Sequence, residues 1–117
     1  MEFQDNVVVV TGGAKGIGKC IAEMFQKEGA HVCIIDTEKN DYFQGDVGSQ
    51  DILEQFHQKV IDDYGHIDYL IHNAKPLFKG IEECSYDEFQ YALSVGVTGP
   101  FYLTKLFQDD FHKGGCI

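Results

Sequence analysis

The chain has 117 residues, a formal net charge of -10 and a pI near 4.7. A chain of this length supports one domain, here residues 1–117, and can bury about two thirds of the surface that its unfolded form exposes. The acidic balance argues against nucleic acid and anionic membranes as partners, because both would repel it.

The four cysteines are scattered without a C-x-x-C pair, and the N-terminal valine run of four residues is too short for a signal peptide or a membrane span. We therefore expect reduced thiols in a cytoplasmic protein.

The first element is the stretch VVVVTGGAKGIG, residues 7–18. Four β-branched valines predict a strand covered on both faces, as in parallel sheets. Gly12, Gly16 and Gly18 then fit G-x-x-x-G-x-G, which permits a tight turn and lets a phosphate approach backbone N–H groups at a helix N-terminus. The pattern predicts a dinucleotide site, and a plain strand-to-helix turn is the alternative.

Apolar residues then recur at helical spacing from Ile17 to a stop at Gly29, and residues 31–36 form a second strand pattern that ends in Asp36. An acid at this place can accept hydrogen bonds from the adenosine ribose hydroxyls and would repel a 2′-phosphate. Asp36 therefore favours NAD over NADP. The alternative is a solvated acid at the end of a strand.

Residues 42–47 predict a short third strand, although only five residues separate it from the second. A parallel crossover is usually longer. We expect either an extended strap without a helix or a different pairing of these two strands, and we favour the strap.

Ser49 predicts the N-cap of an amphipathic helix that ends at Gly65, and residues 67–72 predict a fourth strand. Ser85 and Glu88 form a capping-box pattern at the start of a third helix, which Gly96 and Gly99 interrupt.

A further helix is expected from Pro100 through Phe111, with Cys116 and Ile117 opening a fifth strand. The fold class is α/β, a three-layer Rossmann-like arrangement with a mostly parallel sheet truncated after about four strands. The fourth strand would then be an edge, so we expect a homodimer or higher homo-oligomer that covers this edge or the last helix.

In these motifs the sequence resembles the short-chain dehydrogenase/reductase family: residues 11–18, Asp36, Asp46-Val47 and Asn73-Ala74. The resemblance implies that the glycine turn holds a pyrophosphate, that Asp46 and Val47 line the adenine site, and that Asn73 and Ala74 lie beside the nicotinamide ribose. It implies NAD as the cofactor, with a site formed by Gly12, Lys15, Gly16, Ile17, Gly18, Asp36, Asp46, Val47, Asn73 and Ala74.

The sequence also departs from the family. Lys75 stands where the family has glycine in Asn-Asn-Ala-Gly, and Gly96 stands where it has a proton-relay asparagine. None of the six tyrosines is followed four residues later by lysine, the pair that the family uses for proton transfer. We therefore assign no catalytic residues. A basic residue at the position of Lys15 often accompanies NADP in the family, and we weigh Asp36 more heavily.

These observations predict an NAD(H)-binding module without the usual acid–base groups. The alternatives are an active NAD-dependent oxidoreductase completed by another chain and a dimeric structural relic that binds no cofactor. A phosphate-loop reading of residues 13–19 fails because Cys20 replaces the hydroxyl residue that ligates magnesium. The spacing of the five histidines suggests no metal site.

Overall fold

The structure is a computed structural model that describes residues 2–77 and 79–117. Its strands are β1 (Val7–Thr11), β2 (His31–Asp36), β3 (Phe43–Gln44), β4 (Ile67–Ile71) and β5 (Phe111–Cys116). Its helices are α1 (Gly16–Lys27), α2 (Gln50–Tyr64), α3 (Tyr86–Leu93) and α4 (Gly99–Phe107), and a π-helical segment, Ser94–Thr98, joins the last two. The strands form one sheet of order β3-β2-β1-β4-β5, in which every pairing is parallel.

The buried valines of β1 hold the layers together. Val7 and Val9 pack in the cluster that contains Phe56 of α2, on one face of the sheet. Val8 and Val10 point the other way, into a cluster with α1. Because successive side chains of a strand face opposite sides, one run of valines serves both faces. The predicted three-layer α/β arrangement is confirmed.

The connection between β2 and β3 is an extended strap, as favoured from the sequence. Asn40 organises it: its side-chain oxygen accepts from the N–H groups of Tyr42 and Phe43, both at 2.9 Å. Ile35 then pairs with Phe43 in parallel register. The third strand is shorter than predicted, spanning Phe43–Gln44 instead of residues 42–47.

The predicted helix boundaries at serine and glycine are confirmed for two helices. Ser49 caps α2, and Gly65 ends it in a left-handed conformation with φ of 78°. Ser85 and Glu88 form the predicted capping box of α3. These signals are local, so they are readable without tertiary information.

The predicted interruption at Gly96 and Gly99 takes the form of the π-helical segment between α3 and α4, so the α-helix is interrupted but the chain stays helical. The Gly99 N–H donates to the Ser94 carbonyl five residues earlier, which makes this turn π-helical. Pro100 has no N–H to donate, and a widened turn accommodates such a residue within a helix. A Cβ on Gly99 would lie 2.4 Å from the Val47 carbonyl oxygen, so glycine permits this close approach.

The expectations about the C-terminal residues need correction. The helix from Pro100 ends at Phe107 and not at Phe111, because Phe111 begins β5 and pairs with Ile67 of β4. The sheet therefore has five strands, and β4 is flanked by β1 and β5 instead of lying at an edge. The edge-strand argument for a homo-oligomer fails for this reason.

Asp110 lies in the turn between α4 and β5. Its carboxylate lies 2.8 Å from His57 Nε2 and joins the end of α4 to α2. Within the two described ranges, no helix has the length and apolar character needed to cross a membrane.

Candidate functional site

The glycine turn after β1 is packed tightly on its protein side. Gly12 has φ of 71°, and its N–H donates to the Ile35 carbonyl of β2 at 2.8 Å. A Cβ on Gly18 would lie 2.1 Å from the Gly12 carbonyl oxygen, so α1 lies directly against the turn. Gly12 is therefore required by its backbone conformation, and Gly18 by close contact.

The outer side of the same turn is open. Gly16 has φ of 61°, and a Cβ placed on it would meet no described atom within 4 Å. Ile17, beside it, leaves 75% of its surface exposed. The turn thus combines a close-packed interior with a free surface above the start of α1.

The N-terminus of α1 differs from those of α2 and α3. No side chain caps it, and no acidic residue occupies its first turn. The first N–H groups of a helix have no partner within the helix, and together with the helix dipole they favour an anion. The geometry at α1 is therefore that of an anion site.

The loop after β4 is fastened to the glycine turn. Thr11 Oγ1 accepts hydrogen bonds from the backbone N–H groups of Asn73 and Ala74, both at 3.0 Å. The Asn73 side-chain amide donates to the Gly12 carbonyl, also at 3.0 Å. Two predicted site segments about sixty residues apart in sequence, at 12 and 73, are therefore in direct contact.

Asp36, at the end of β2, also contacts the glycine turn. Its Oδ2 accepts from the Ala14 N–H, and its Oδ1 from the Glu38 N–H, both at 2.9 Å. Lys15 Nζ lies 3.3 Å from Glu38 Oε1, with both side chains largely exposed. The basic side chain of the turn is thus paired with an acid close to Asp36.

Asp46 and Val47 lie farther along the same edge of the sheet. The Asp46 carboxylate accepts from the Gly48 N–H at 2.8 Å and from the Tyr91 hydroxyl at 2.7 Å. The bond to Asp46 raises the pKa of Tyr91 to about 12, because the carboxylate accepts from the protonated phenol. Val47 is buried against the π-helical segment and α4.

The three positions where the sequence departs from the family pattern, His72, Lys75 and Gly96, have different environments. Lys75 is exposed. His72, in place of asparagine, is half-buried; its Nε2 lies 2.9 Å from Thr104 Oγ1, and its Nδ1 has no hydrogen-bond partner among the described residues. Burial lowers the pKa of His72. A Cβ on Gly96 would meet only the Pro76 ring, at 3.5 Å.

Three residues around the site were not among the predicted site residues: Thr11, Glu38 and Tyr91. Thr11 places a hydroxyl directly after a run of valines, and this change from apolar to polar could have indicated a residue with a hydrogen-bonding role. Tyr91 meets Asp46 across 45 residues, so no local pattern could have indicated this pair.

The family model described as short chain dehydrogenase matches residues 6–117. An uncharacterized oxidoreductase of Thermotoga maritima is 33% identical, with 98% of this chain and 52% of that protein covered. The chain therefore spans about half the length of this curated relative.

Solved structures also match this chain. The ligand-free aldohexose dehydrogenase of Thermoplasma acidophilum matches with a TM-score of 0.82 and 30% identity, covering 93% of this chain and 45% of that one. A blue fluorescent protein from a metagenomic library, in complex with NADPH, shares the fold with a TM-score of 0.89 at 21% identity, covering 98% of this chain and 55% of that one. The chain belongs to the short-chain dehydrogenase family of oxidoreductases.

Proposed function

We propose that this chain binds NAD(H) at the glycine turn and forms the cofactor-binding part of an oxidoreductase. Members of the family use nicotinamide cofactors, NAD or NADPH. The observation that carries the proposal is the uncapped N-terminus of α1 below the open side of Gly16. A pyrophosphate there would accept hydrogen bonds from N–H groups that the helix leaves free.

The arrangement of the predicted residues supports one continuous binding edge. Gly12, Asp36 and Asn73 follow or end three adjacent parallel strands, β1, β2 and β4. Ligands of open α/β sheets bind at the carboxyl ends of the strands, where the order reverses. In this proposal Asp36 binds the adenosine ribose, Asp46 and Val47 line the adenine, and Asn73 and Ala74 contact the nicotinamide ribose.

Charge at the end of β2 supports NAD over NADP. In this proposal a 2′-phosphate would approach Asp36, whose carboxylate lies at the glycine turn. Glu38 pairs with Lys15, the cation that could otherwise attract that phosphate. Like charges at short range repel, and this repulsion acts at the single group in which the two cofactors differ. The blue fluorescent protein, in contrast, has NADPH bound.

The substitution Asp36→Asn tests this preference. Asparagine keeps an oxygen that can accept from Ala14 N–H but removes the charge. The ratio of the NADP to the NAD dissociation constant, measured by calorimetry, should fall at least about tenfold, because the repulsion between the Asp36 carboxylate and the 2′-phosphate is lost. Asp41→Asn, an exposed acid in the same connection, is the control and should leave the ratio unchanged. Tighter binding of NADP than NAD by the unaltered chain would refute the role of Asp36.

A second proposal concerns catalysis. No tyrosine here has a lysine one helical turn onward, so we propose that these 117 residues bind cofactor without transferring hydride by themselves. Sustained turnover of alcohols or ketones by the purified chain would refute this and support the active alternative. The absence of NADH binding would instead support the non-binding relic.

We also propose that the chain forms a homo-oligomer and is cytoplasmic. The apolar side chains of Phe89, Leu93, Val97 and Phe101 are exposed along α3, the π-helical segment and α4. This stripe supports a homo-oligomer formed through the last helix, and a well-folded monomer at micromolar concentration in sedimentation would contradict it. Four free cysteines support a cytoplasmic location.

A further inference from the structure

Three side chains converge at the starts of β4 and β5: His66, Asp68 and His112. His66 Nε2 lies 3.3 Å from Asp68 Oδ2, and His112 Nδ1 lies 3.2 Å from Asp68 Oδ1. The two imidazole rings are stacked, with centroids 3.4 Å apart. Their three ligand atoms all lie within 4.8 Å of one another.

The separations suit a small metal ion. Tetrahedral zinc with nitrogen and oxygen ligands at about 2.0–2.2 Å requires these ligand atoms to be roughly 3.4 Å apart. His66 Nε2 is close to this distance from Asp68 Oδ2, and His112 Nδ1 is close to it from Asp68 Oδ1, so each histidine approaches a different oxygen of the carboxylate. An ion held between the two ring nitrogens and this carboxylate would have three protein ligands and leave one position open.

The hydrogen bonding of His66 supplies a second, independent indication. Its Nδ1 lies 3.1 Å from the Tyr64 carbonyl oxygen, which can only accept, so this nitrogen carries the proton. Nε2 is the ring nitrogen that faces the Asp68 carboxylate, at 3.3 Å. Histidine ligands of metals commonly donate their other N–H to a carbonyl in this way, which orients the ring for an ion at Nε2.

Asp68 is held independently of any ion. It is buried, and its Oδ2 accepts from the Val7 N–H at 2.8 Å. Its orientation toward the two histidines is therefore fixed by the start of β1. His112, in contrast, is largely exposed, with 58% of its side-chain surface accessible, so the site opens to solvent on that side.

We propose that His66, Asp68 and His112 form a binding site for a divalent transition-metal ion of the zinc class. The site lies at the amino ends of β4 and β5, whereas the proposed cofactor residues lie at the carboxyl end of β4. Five residues of β4 separate the two ends by about 15 Å. An ion here would join β5 to β4 and is independent of the cofactor proposal.

Calorimetric titration of the full chain with Zn²⁺ tests this inference. One ion should bind per chain, and His112→Gln and His66→Gln should each weaken binding at least about tenfold, as loss of a ligand does. His31→Gln is the matched control, because His31 is also a histidine near an acid, at 3.8 Å from Asp5, outside the cluster. It should leave the affinity unchanged.

The absorption spectrum of bound Co²⁺ tests whether the exposed cysteines are ligands instead. Bound Co²⁺ should give visible bands typical of nitrogen and oxygen ligands without a thiolate charge-transfer band. A thiolate band, equal affinity in the two cluster variants and the unaltered chain, or failure of the chain to bind Zn²⁺ would each overturn the proposal. Circular dichroism confirms that each variant is folded.

Discussion

At the scale of single residues, His72 differs in chemistry from the asparagine that the family pattern has there. Its ring is half-buried between β4 and α4, with Nε2 beside Thr104 and Nδ1 without a partner among the described residues. A buried imidazole that gains a proton pays for desolvation of the charge. The side chain therefore favours the neutral form in the folded chain.

This environment predicts a specific pH dependence. Because burial lowers the pKa of His72 in the folded state, the unfolded chain binds this proton more readily once the pH drops below the unfolded value of about 6.5. The free energy of unfolding should therefore fall as the pH is lowered through this range. His72→Asn removes this contribution, so its stability, measured by urea unfolding, should decline less between about pH 6.5 and 5. Parallel pH profiles for the variant and the unaltered chain would contradict this account.

Helix caps could be predicted from the sequence, whereas long-range side-chain contacts could not. The roles of Ser49, Gly65 and Ser85 were predictable because a cap acts on N–H or carbonyl groups within a few residues. The contact of Tyr91 with Asp46 was not, since only the fold brings the two together.

At the scale of elements, two glycines in or next to the π-helical segment, Gly99 and Gly96, have different roles in packing. Gly99 lies against the Val47 carbonyl, which leaves no room for a Cβ. Gly96 has only the Pro76 ring nearby, at ordinary contact distance. The first glycine is needed for packing and the second is not.

The two alanine substitutions should therefore have opposite effects. Gly96→Ala should raise the free energy of unfolding by about 0.5–1 kcal/mol, because alanine loses less backbone entropy in a helical segment. Gly99→Ala should lower it by about 1–3 kcal/mol, because the new Cβ forces α4 away from Val47. Chemical unfolding of both variants measures the difference. Equal effects would contradict the packing described for this segment.

The two strands whose bounds were predicted wrongly, β3 and β5, illustrate opposite mismatches between local sequence and strand pairing. The sequence of β5, FHKGGC, contains two glycines and a lysine and has no alternating apolar pattern. It becomes a strand by pairing with β4, through Ile67 and Phe111. When pairing with a neighbouring strand determines the conformation, the segment's own sequence carries little strand signal. Residues 42–47 illustrate the reverse, because a strand-like sequence pairs over only two residues.

At the scale of the whole molecule, the sheet order explains why distant motifs form one candidate site. Because β1 lies between β2 and β4, the glycine turn, Asp36 and Asn73 meet at the carboxyl ends of these strands, which form one edge of the sheet. The glycine spacing and the following acid predicted this edge from the sequence, because both belong to one βαβ unit. The cluster of His66, Asp68 and His112 at the opposite edge was not predictable, since 44 residues separate the last two.

The most direct test of the central claim is calorimetric titration of NADH into three forms of the chain: unaltered, Gly16→Ala and Gly65→Ala. Gly16 and Gly65 are matched, because both have positive φ, at 61° and 78°, and an added Cβ would meet no described atom within 4 Å at either position. Both variants should therefore lose similar stability, by about 1 kcal/mol.

Only Gly16 lies above the N-terminus of α1, where the pyrophosphate would bind. We expect one NADH per unaltered chain and the same affinity in Gly65→Ala. Binding should be at least about tenfold weaker in Gly16→Ala, because a methyl group would occupy the path of the phosphate. No binding of NADH by the unaltered chain at millimolar concentration, or equal affinities in the two variants, would contradict this expectation.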